Sequence, residues 1–148
     1  MNLSVKFLVK SPVRAVSEMK RKIGSESLEQ QAVVTYCAFQ AWRLPNSDKI
    51  FHIANGGWRT ITEAKRFKAE GVKPGVPDLC LPVPLNGYHG MYIEMKRPDH
   101  KNKPSDEQKE WLAYLNGIGY KAVVCYGYEE AVKEIQRYYG VPEEEMVM

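Results

Sequence analysis

Residues 77–96 read PDLCLPVPLNGYHGMYIEMK, and this stretch decides the fold. Its two apolar-rich runs, DLCLP and GMYIEMK, are typical of β-strands. Asn86-Gly87 between them is a preferred pair for a tight hairpin turn. If the strands pair about Asn86, residues equidistant from it face each other, and Asp78 then lies opposite Glu94. The Cβ atoms of two such residues are roughly 5 Å apart.

An acidic pair in this position needs an explanation. Side chains alternate along a strand, so Glu94 and Lys96 share one face while Ile93 and Met95 share the other. Like charges directly opposed destabilise a sheet, and nothing structural requires Asp78 opposite Glu94. A divalent cation reverses that penalty, because Mg²⁺ binds one or two carboxylates together with phosphate oxygens and water. The pattern indicates a reaction centre with Lys96 beside it; the alternative is ordinary solvent-side decoration of a strand.

The rest of the chain predicts four helices and two more strands, in the order helix, strand, helix, two strands, helix, strand, helix. The predicted elements are a helix capped by Ser25 and running to about Leu44, a strand over 49–54 ended by the Asn55-Gly56-Gly57 turn, a helix over 60–70 closed by Gly71, a helix capped by Ser105 and running to about Asn116, a strand over 120–127 and a helix over 128–139. This order predicts an α/β sandwich around a small mixed sheet.

Charge is distributed unevenly along the 148 residues, although the formal net charge is only +3. Residues 1–22 are strongly basic, and further basic clusters lie at 59–73 and 96–103. Basic stretches beside a carboxylate cluster fit a polyanionic substrate, whereas a solvated helix face is the commoner explanation for any single cluster. We therefore divide the chain into a basic arm, residues 1–23, and one domain, residues 24–148.

The cysteines and the hydropathy of the sequence indicate the cellular compartment of the protein. The three cysteines are isolated and lie in apolar contexts, which predicts buried free thiols in a reducing environment. No apolar run is long enough to span a membrane, and the start lacks a signal-peptide core. We expect a cytoplasmic protein with no membrane partner, located in the bacterial host cell if it is phage-encoded.

The ordered motifs GVKPGVPDL and IEMKRP resemble the P-D…(D/E)-x-K signature of the PD-(D/E)xK nuclease superfamily. With ESLEQQ on the first helix, NGG at 55–57 and SDEQKEWLAYLNGIGY from Ser105, the chain more narrowly resembles the virus-type replication-repair nuclease (VRR-NUC) domain of the stand-alone phage or bacterial type. The resemblance runs from Glu26 through the last helix. It implies an α/β fold with a restriction-endonuclease-like core.

The resemblance also implies roles for the acidic pair and its neighbours. Asp78 and Glu94 are expected to bind Mg²⁺ or Mn²⁺, with the main-chain carbonyl of Met95 as a third ligand. Such a metal polarises a phosphodiester and lowers the pKa of a bound water. Lys96 is expected to orient that water or to stabilise charge on the phosphorane.

An acid on the first helix usually completes such a site. We choose Glu26, which shares a helix face with Gln30, as a further catalytic residue and metal ligand; Glu29 is the competitor. A first-turn carboxylate is also favoured by the helix dipole alone. Gln108 has two interpretations as well: the resemblance places a glutamine near the metal, while Ser105 and Gln108 form an S-x-x-Q capping box.

These inferences predict a metal-dependent, structure-specific endonuclease that hydrolyses phosphodiester bonds in branched double-stranded DNA, by Holliday-junction-resolvase-like or flap cleavage. A homodimer is expected, since symmetric cleavage of a four-way junction needs two active sites. The alternative is a catalytically silent DNA-binding module that retains the nuclease fold.

Overall fold

The computed structural model describes residues 25–55 and 60–146. The helices and strands of these ranges follow the predicted order: α1 (Glu26–Phe39), β1 (Phe51–His52), α2 (Ile61–Ala69), β2 (Leu79–Leu81), β3 (Met91–Lys96), α3 (Asp106–Gly117), β4 (Lys121–Tyr126) and α4 (Tyr128–Tyr138). Two short 3-10 turns, Ser47–Lys49 and Glu143–Glu145, are added to them. The basic arm (residues 1–23), Gly56 and Gly57 lie outside the described residues, so the boundary between arm and domain stays a prediction.

The four strands form one mixed sheet in the order β1-β2-β3-β4. The first three pair antiparallel, and β3 pairs parallel with β4 through the α3 crossover. Helices α1 and α4 cover the face of the sheet that carries Met91, Ile93 and Met95. The two helices and this face of the sheet together form the apolar core. Helix α3 contacts the opposite face, which carries Glu94. The predicted α/β class and small mixed sheet are confirmed.

The predicted strand register is also confirmed. Leu79 pairs with Ile93, as expected for a hairpin centred on Asn86. The Asn86-Gly87 turn has φ of 52° and 81°, and two successive positive values define a type I′ turn. Continued by one residue, the same register places Asp78 opposite Glu94.

The prediction for the first helix is wrong at its end, because α1 stops at Phe39 rather than near Leu44. Leu44 precedes Pro45, and a residue before proline is disfavoured in helical conformation. The chain leaves the helix through hydrogen-bonded turns. The hydroxyl of Ser47 then donates to the carbonyl of Cys37 at 2.7 Å, which satisfies one of the last helical acceptors.

The strand predicted over 49–54 is also too long, since β1 contains only Phe51 and His52. Its partner β2 is bracketed by Pro77 and Pro82, which carry no N–H for a sheet ladder. Lys49 instead ends a 3-10 turn. The other predicted elements agree with the structure to within one residue at each end.

The predicted thiols are confirmed as free and buried at Cys37, Cys80 and Cys125. In the described ranges, no helix combines the length and apolar character needed to cross a bilayer.

Candidate active site

Polar side chains meet where β3 ends and β2 begins. Glu94 and Lys96 come from β3, Asp78 from the residue before β2, and Gln108 from the first turn of α3. Glu26, the first residue of α1, interacts electrostatically with Asp78, Glu94 and Lys96. The structure therefore brings together all five side chains that the sequence singles out.

Glu94 is the centre of this cluster and is only 1% exposed. Its Oε1 atom accepts a hydrogen bond from Gln108 Nε2 at 2.6 Å and lies 2.9 Å from Lys96 Nζ. Its Oε2 atom is buried with no hydrogen-bond partner among the described residues. Lys96 is itself 7% exposed, so both charges of this ion pair are withdrawn from bulk water.

Asp78 is fixed by the backbone of the neighbouring strand. Its Oδ2 atom accepts a hydrogen bond from the Met95 N–H at 2.8 Å. The carbonyl of Lys96 accepts from Gly127 N–H on the β4 side. Because backbone polar groups alternate sides along a strand, the carbonyl of Met95 points away from β4, toward Asp78. The carbonyl named as a third ligand thus lies on the β2 side of the strand, the side on which Asp78 contacts Met95.

Burial and mutual repulsion shift the acids of the cluster in one direction. Burial, reinforced by Asp78 and opposed by Lys96, raises the pKa of Glu94 from 4.5 to about 7. Burial also raises the pKa of Asp78, against the opposing effects of the Met95 hydrogen bond and Lys96. The pKa of Glu26 is raised by burial as well, with Lys96 lowering it and Asp78 raising it. The cluster therefore disfavours full ionisation when nothing neutralises it.

The two acids of α1 have different surroundings. Glu26 is half-buried and interacts with Asp78, Lys96 and Arg97. Glu29 is fully buried, and its carboxylate accepts the backbone N–H of Tyr128 at the start of α4. Electrostatic interaction with the acidic pair therefore distinguishes Glu26, whereas Glu29 is engaged with the backbone of α4.

Gln108 makes both of the contacts that its two interpretations require. Its Oε1 atom accepts from the Ser105 N–H at 2.8 Å, and the Ser105 hydroxyl accepts from the Gln108 N–H at 3.2 Å, which completes the capping box. Its Nε2 atom donates to Glu94. One side chain thus fixes the start of α3 and one oxygen of the acidic pair.

The sequence analysis missed His52. Its Nδ1 atom lies 2.9 Å from the main-chain carbonyl of Asp78, and the ring lowers the pKa of the Asp78 carboxyl. Pairing β1 with β2 in the sequence would have revealed it, since His52 lies opposite Leu79. It adds an imidazole at the edge of the cluster.

The donor set fits a divalent cation bound mainly by two carboxylates. Within residues 25–55 and 60–146, no three His, Cys, Asp or Glu side chains are close enough to surround a metal ion. Asp78 and Glu94 nonetheless repel each other, and Glu94 Oε2 is a buried oxygen without a partner in this part of the chain. A hard cation that retains several waters needs only one or two carboxylates. Glu26 as a direct ligand stays a prediction.

Comparison with known proteins identifies related domains. The sequence profile of the VRR-NUC domain matches residues 16–129, which is most of the chain. The chain belongs to the VRR-NUC domain family. A solved structure described as a VRR_NUC domain protein is similar with a TM-score of 0.67 and 33% sequence identity, covering 78% of this chain and 88% of the other. No curated protein gives a significant match.

As a member of the VRR-NUC family, the chain is a nuclease-type domain, and it has the restriction-endonuclease-like fold that the motifs implied. The VRR-NUC match begins at residue 16, inside the segment that we assigned to the basic arm. It ends in the first turn of α4, so it contains every residue of the acidic cluster.

Proposed function

We propose that this VRR-NUC domain is a metal-dependent, structure-specific endonuclease that hydrolyses phosphodiester bonds in branched DNA. The observation that carries the proposal is the Glu94 carboxylate, which is buried opposite Asp78, paired with Lys96 and left with one oxygen unpartnered among the described residues. A fold gains no stability from such an arrangement, because buried like charges cost free energy. A cation and a phosphate group would compensate that cost.

Asp78, Glu94 and the Met95 carbonyl are the groups that would hold Mg²⁺ or Mn²⁺ here. A metal in such a site supplies Lewis-acid polarisation of the phosphodiester and a bound water of lowered pKa. The protein's own contribution is to hold the two carboxylates at a fixed separation. The Met95 N–H holds Asp78, and Gln108 holds Glu94.

Lys96 supplies the positive charge of the site. Its ammonium group is nearly buried and lies 2.9 Å from Glu94, so it is already oriented before substrate arrives. In a water-excluded site, a cation aimed at developing negative charge lowers the barrier more than it does in water. We assign Lys96 to orient the attacking water or to stabilise the phosphorane.

Recognition of DNA shape follows from the kind of contacts that the domain offers. The loop after β3 exposes Arg97, Lys101 and Lys103 beside the acidic cluster. Long basic side chains on a loop contact phosphates and carry little sequence information. If the substrate is a symmetric four-way junction, two copies of the domain are required, and we propose a homodimer.

The test is cleavage of flap, fork and four-way junction DNA by the purified protein with Mg²⁺, Mn²⁺ or a chelator. We expect cleavage of branched DNA with either metal and none with chelator. Asp48→Asn is a charge-matched control, because Asp48 is an exposed acid beyond the far end of α1. Loss of cleavage in Asp78→Asn but not in Asp48→Asn would support the assigned site.

The alternative function, a silent DNA-binding module, gives a different outcome in the same assay. Tight binding of branched DNA without cleavage under any metal condition would replace the nuclease proposal. Light scattering of the complex with a four-way junction tests the homodimer separately, since two copies per junction are expected.

A further inference from the structure

Two aromatic rings stack beside the acidic cluster and have no part in the chemistry described above. The imidazole of His100 lies on the ring of Tyr126 with a centroid separation of 4.0 Å and an interplanar angle of 14°. The other ring pairs within the described residues meet edge to face or tilted. We call the pair formed by His100 and Tyr126 the aromatic stack.

The sheet register places this stack next to Lys96. Tyr126 pairs with Lys96 across the parallel β3–β4 ladder, and paired residues of neighbouring strands point to the same face. Strands in a sheet lie about 4.8 Å apart. Tyr126 is therefore an immediate neighbour of the cation of the site, on the face that also carries Glu94.

The loop that carries His100 is held in place by several local contacts. His100 N–H donates to the Arg97 carbonyl at 3.2 Å, with Pro98 at the second position of that turn, where proline is favoured. The Asp99 carboxylate accepts the Lys101 N–H at 3.1 Å. These contacts hold the loop that presents the His100 ring to Tyr126.

The backbone of His100 is unusual, with φ of 58°. Residues other than glycine rarely adopt this left-handed conformation, and such conformations persist where the surroundings determine them and cluster at functional sites. His100 is nevertheless exposed, so the stack lies at the surface and not in the core. Tyr126 covers one face of the imidazole, and the other face is available to a planar ligand.

We propose that the aromatic stack is a platform on which one unpaired nucleobase of the DNA stacks, beside the phosphate that is cut. The inference rests on the proposed nuclease function and refines it. Aromatic faces within basic surroundings are the usual surface for unpaired bases, because every base offers a π-face. Arg97 and Lys101 flank the stack in sequence and supply the cations for the adjoining phosphates. The preferred substrate is therefore a flap or fork with a single-stranded nucleotide at the branch, in preference to a fully paired junction.

The test uses 2-aminopurine, a fluorescent base whose emission falls on stacking, placed at the first unpaired position of a flap. Binding is measured in chelator, so that cleavage does not remove the probe. Wild-type protein should quench the emission. His100→Gly, which removes the ring and suits the positive φ, should abolish the quenching and weaken flap binding on the order of tenfold. Its affinity for blunt, fully paired duplex should not change.

Two further variants make the outcome specific. His100→Phe keeps a flat ring and should retain quenching. Trp42→Ala removes an aromatic side chain that is 80% exposed and lies beyond the C-terminal end of α1, roughly 20 Å or more from Glu26. This control should behave as wild type.

The platform proposal would be overturned by any of three results. These are unchanged quenching in His100→Gly, no quenching by wild-type protein, and an equal loss of affinity for flap and duplex. The last result would show that the stack only braces the loop.

Cleavage with Mn²⁺ is scored separately. Quenching without cleavage would sink the nuclease proposal and leave the platform standing, whereas cleavage without quenching would do the reverse.

Discussion

The carboxylate of Glu29 accepts a hydrogen bond from the backbone N–H of Tyr128 at 2.5 Å, which ties the first turn of α1 to the first turn of α4. The N-cap residue of α4 is Gly127, which has no side chain with which to cap the helix. Glu29 therefore supplies from another helix the acceptor that an N-cap normally provides. This contact gives Glu29 a structural role and separates it from Glu26.

The first prediction separates these two acids. Glu29→Gln removes a charged acceptor at a helix N-terminus and should destabilise the domain by about 1–2 kcal/mol, lowering Tm by roughly 5 °C. Glu26→Gln should leave Tm nearly unchanged but reduce cleavage about 10- to 100-fold, as is typical when a group supporting a metal site is removed. Thermal melts and cleavage rates check both variants. The opposite pattern would assign Glu29 to the site.

The second prediction concerns Asp78→Asn. The amide oxygen can still accept the Met95 N–H, so the fold should be retained, and without metal Tm should hold or rise because repulsion with Glu94 is relieved. Cleavage should be abolished. The rise in Tm on adding Mn²⁺ should shrink, because ligand binding to the folded state is what raises it. Full activity in this variant would contradict the assignment.

The third prediction is a loss of stability as pH rises. The pKa of Glu94 is raised to about 7, so between pH 4.5 and 7 the folded state binds more protons than the unfolded state. The contribution is complete below pH 4.5 and is lost as pH rises through 7, amounting to roughly 3 kcal/mol at most. Urea unfolding in chelator at pH 4.5, 6 and 8 measures it.

Asp78→Asn is the control for this pH effect. It removes the repulsion that helps to raise the pKa of Glu94, so its free energy of unfolding should fall less between pH 4.5 and 8. Parallel curves for wild type and variant would show that the acidic pair does not govern the effect.

The fourth prediction separates the two contacts of Gln108. Ser105→Ala and Gln108→Ala each disrupt the capping box and should cost about 1 kcal/mol. Only Gln108→Ala also removes the donor to Glu94, so it alone should lower cleavage, by about 10- to 100-fold. Equal cleavage by the two variants would reduce Gln108 to a capping residue.

The fifth prediction concerns how DNA is held. DNA binding should weaken steeply as the salt concentration rises. The double variant Lys101→Glu with Lys103→Glu should flatten the slope of log K against log salt. The change should be about 0.9 for each phosphate of the duplex arms that these lysines no longer neutralise. All DNA shapes should be weakened alike, because these lysines bind the backbone. Lys49→Glu with Lys133→Glu, at exposed lysines elsewhere, is the charge-matched control. A DNA affinity that depends only weakly on salt would contradict binding through the phosphate backbone.

The basic arm offers a companion test. Deletion of residues 1–22 is expected to reduce DNA affinity or dimer formation while leaving metal-dependent cleavage detectable. Anisotropy titration, light scattering and cleavage on the same preparation distinguish these effects. Complete loss of cleavage in a folded protein would make the arm part of the catalytic unit.

The hairpin shows what local sequence determines well. The pairing of Leu79 with Ile93 is offset by one residue from the Leu85–Tyr88 bridge that flanks the turn, so the alternation of side chains, and not the turn alone, sets the register that places Asp78 opposite Glu94. The turn itself is specified by two adjacent residues, Asn86 and Gly87. The same holds for the Ser105 cap of α3, where the capping partner is three residues away.

Contacts between distant segments could not be predicted in this way. Glu26 and Glu29 have similar sequence contexts, and only the docking of α1 against α4 gives them different partners. The length of β1 depends on prolines of the strand with which it pairs. His52 and Tyr126 reach the site only through the order of strands in the sheet, which alternation within one strand does not reveal.

The Glu29–Tyr128 bond joins residues 99 positions apart in the chain. During synthesis, the ribosome releases Asp78 and Glu94 well before the residues that secure the first helix. An interrupted or proteolysed chain that ends before Tyr128 thus has both acids of the hairpin but lacks the contact that anchors the Glu26 helix. Under the proposed function, such incomplete chains should consequently cleave DNA poorly.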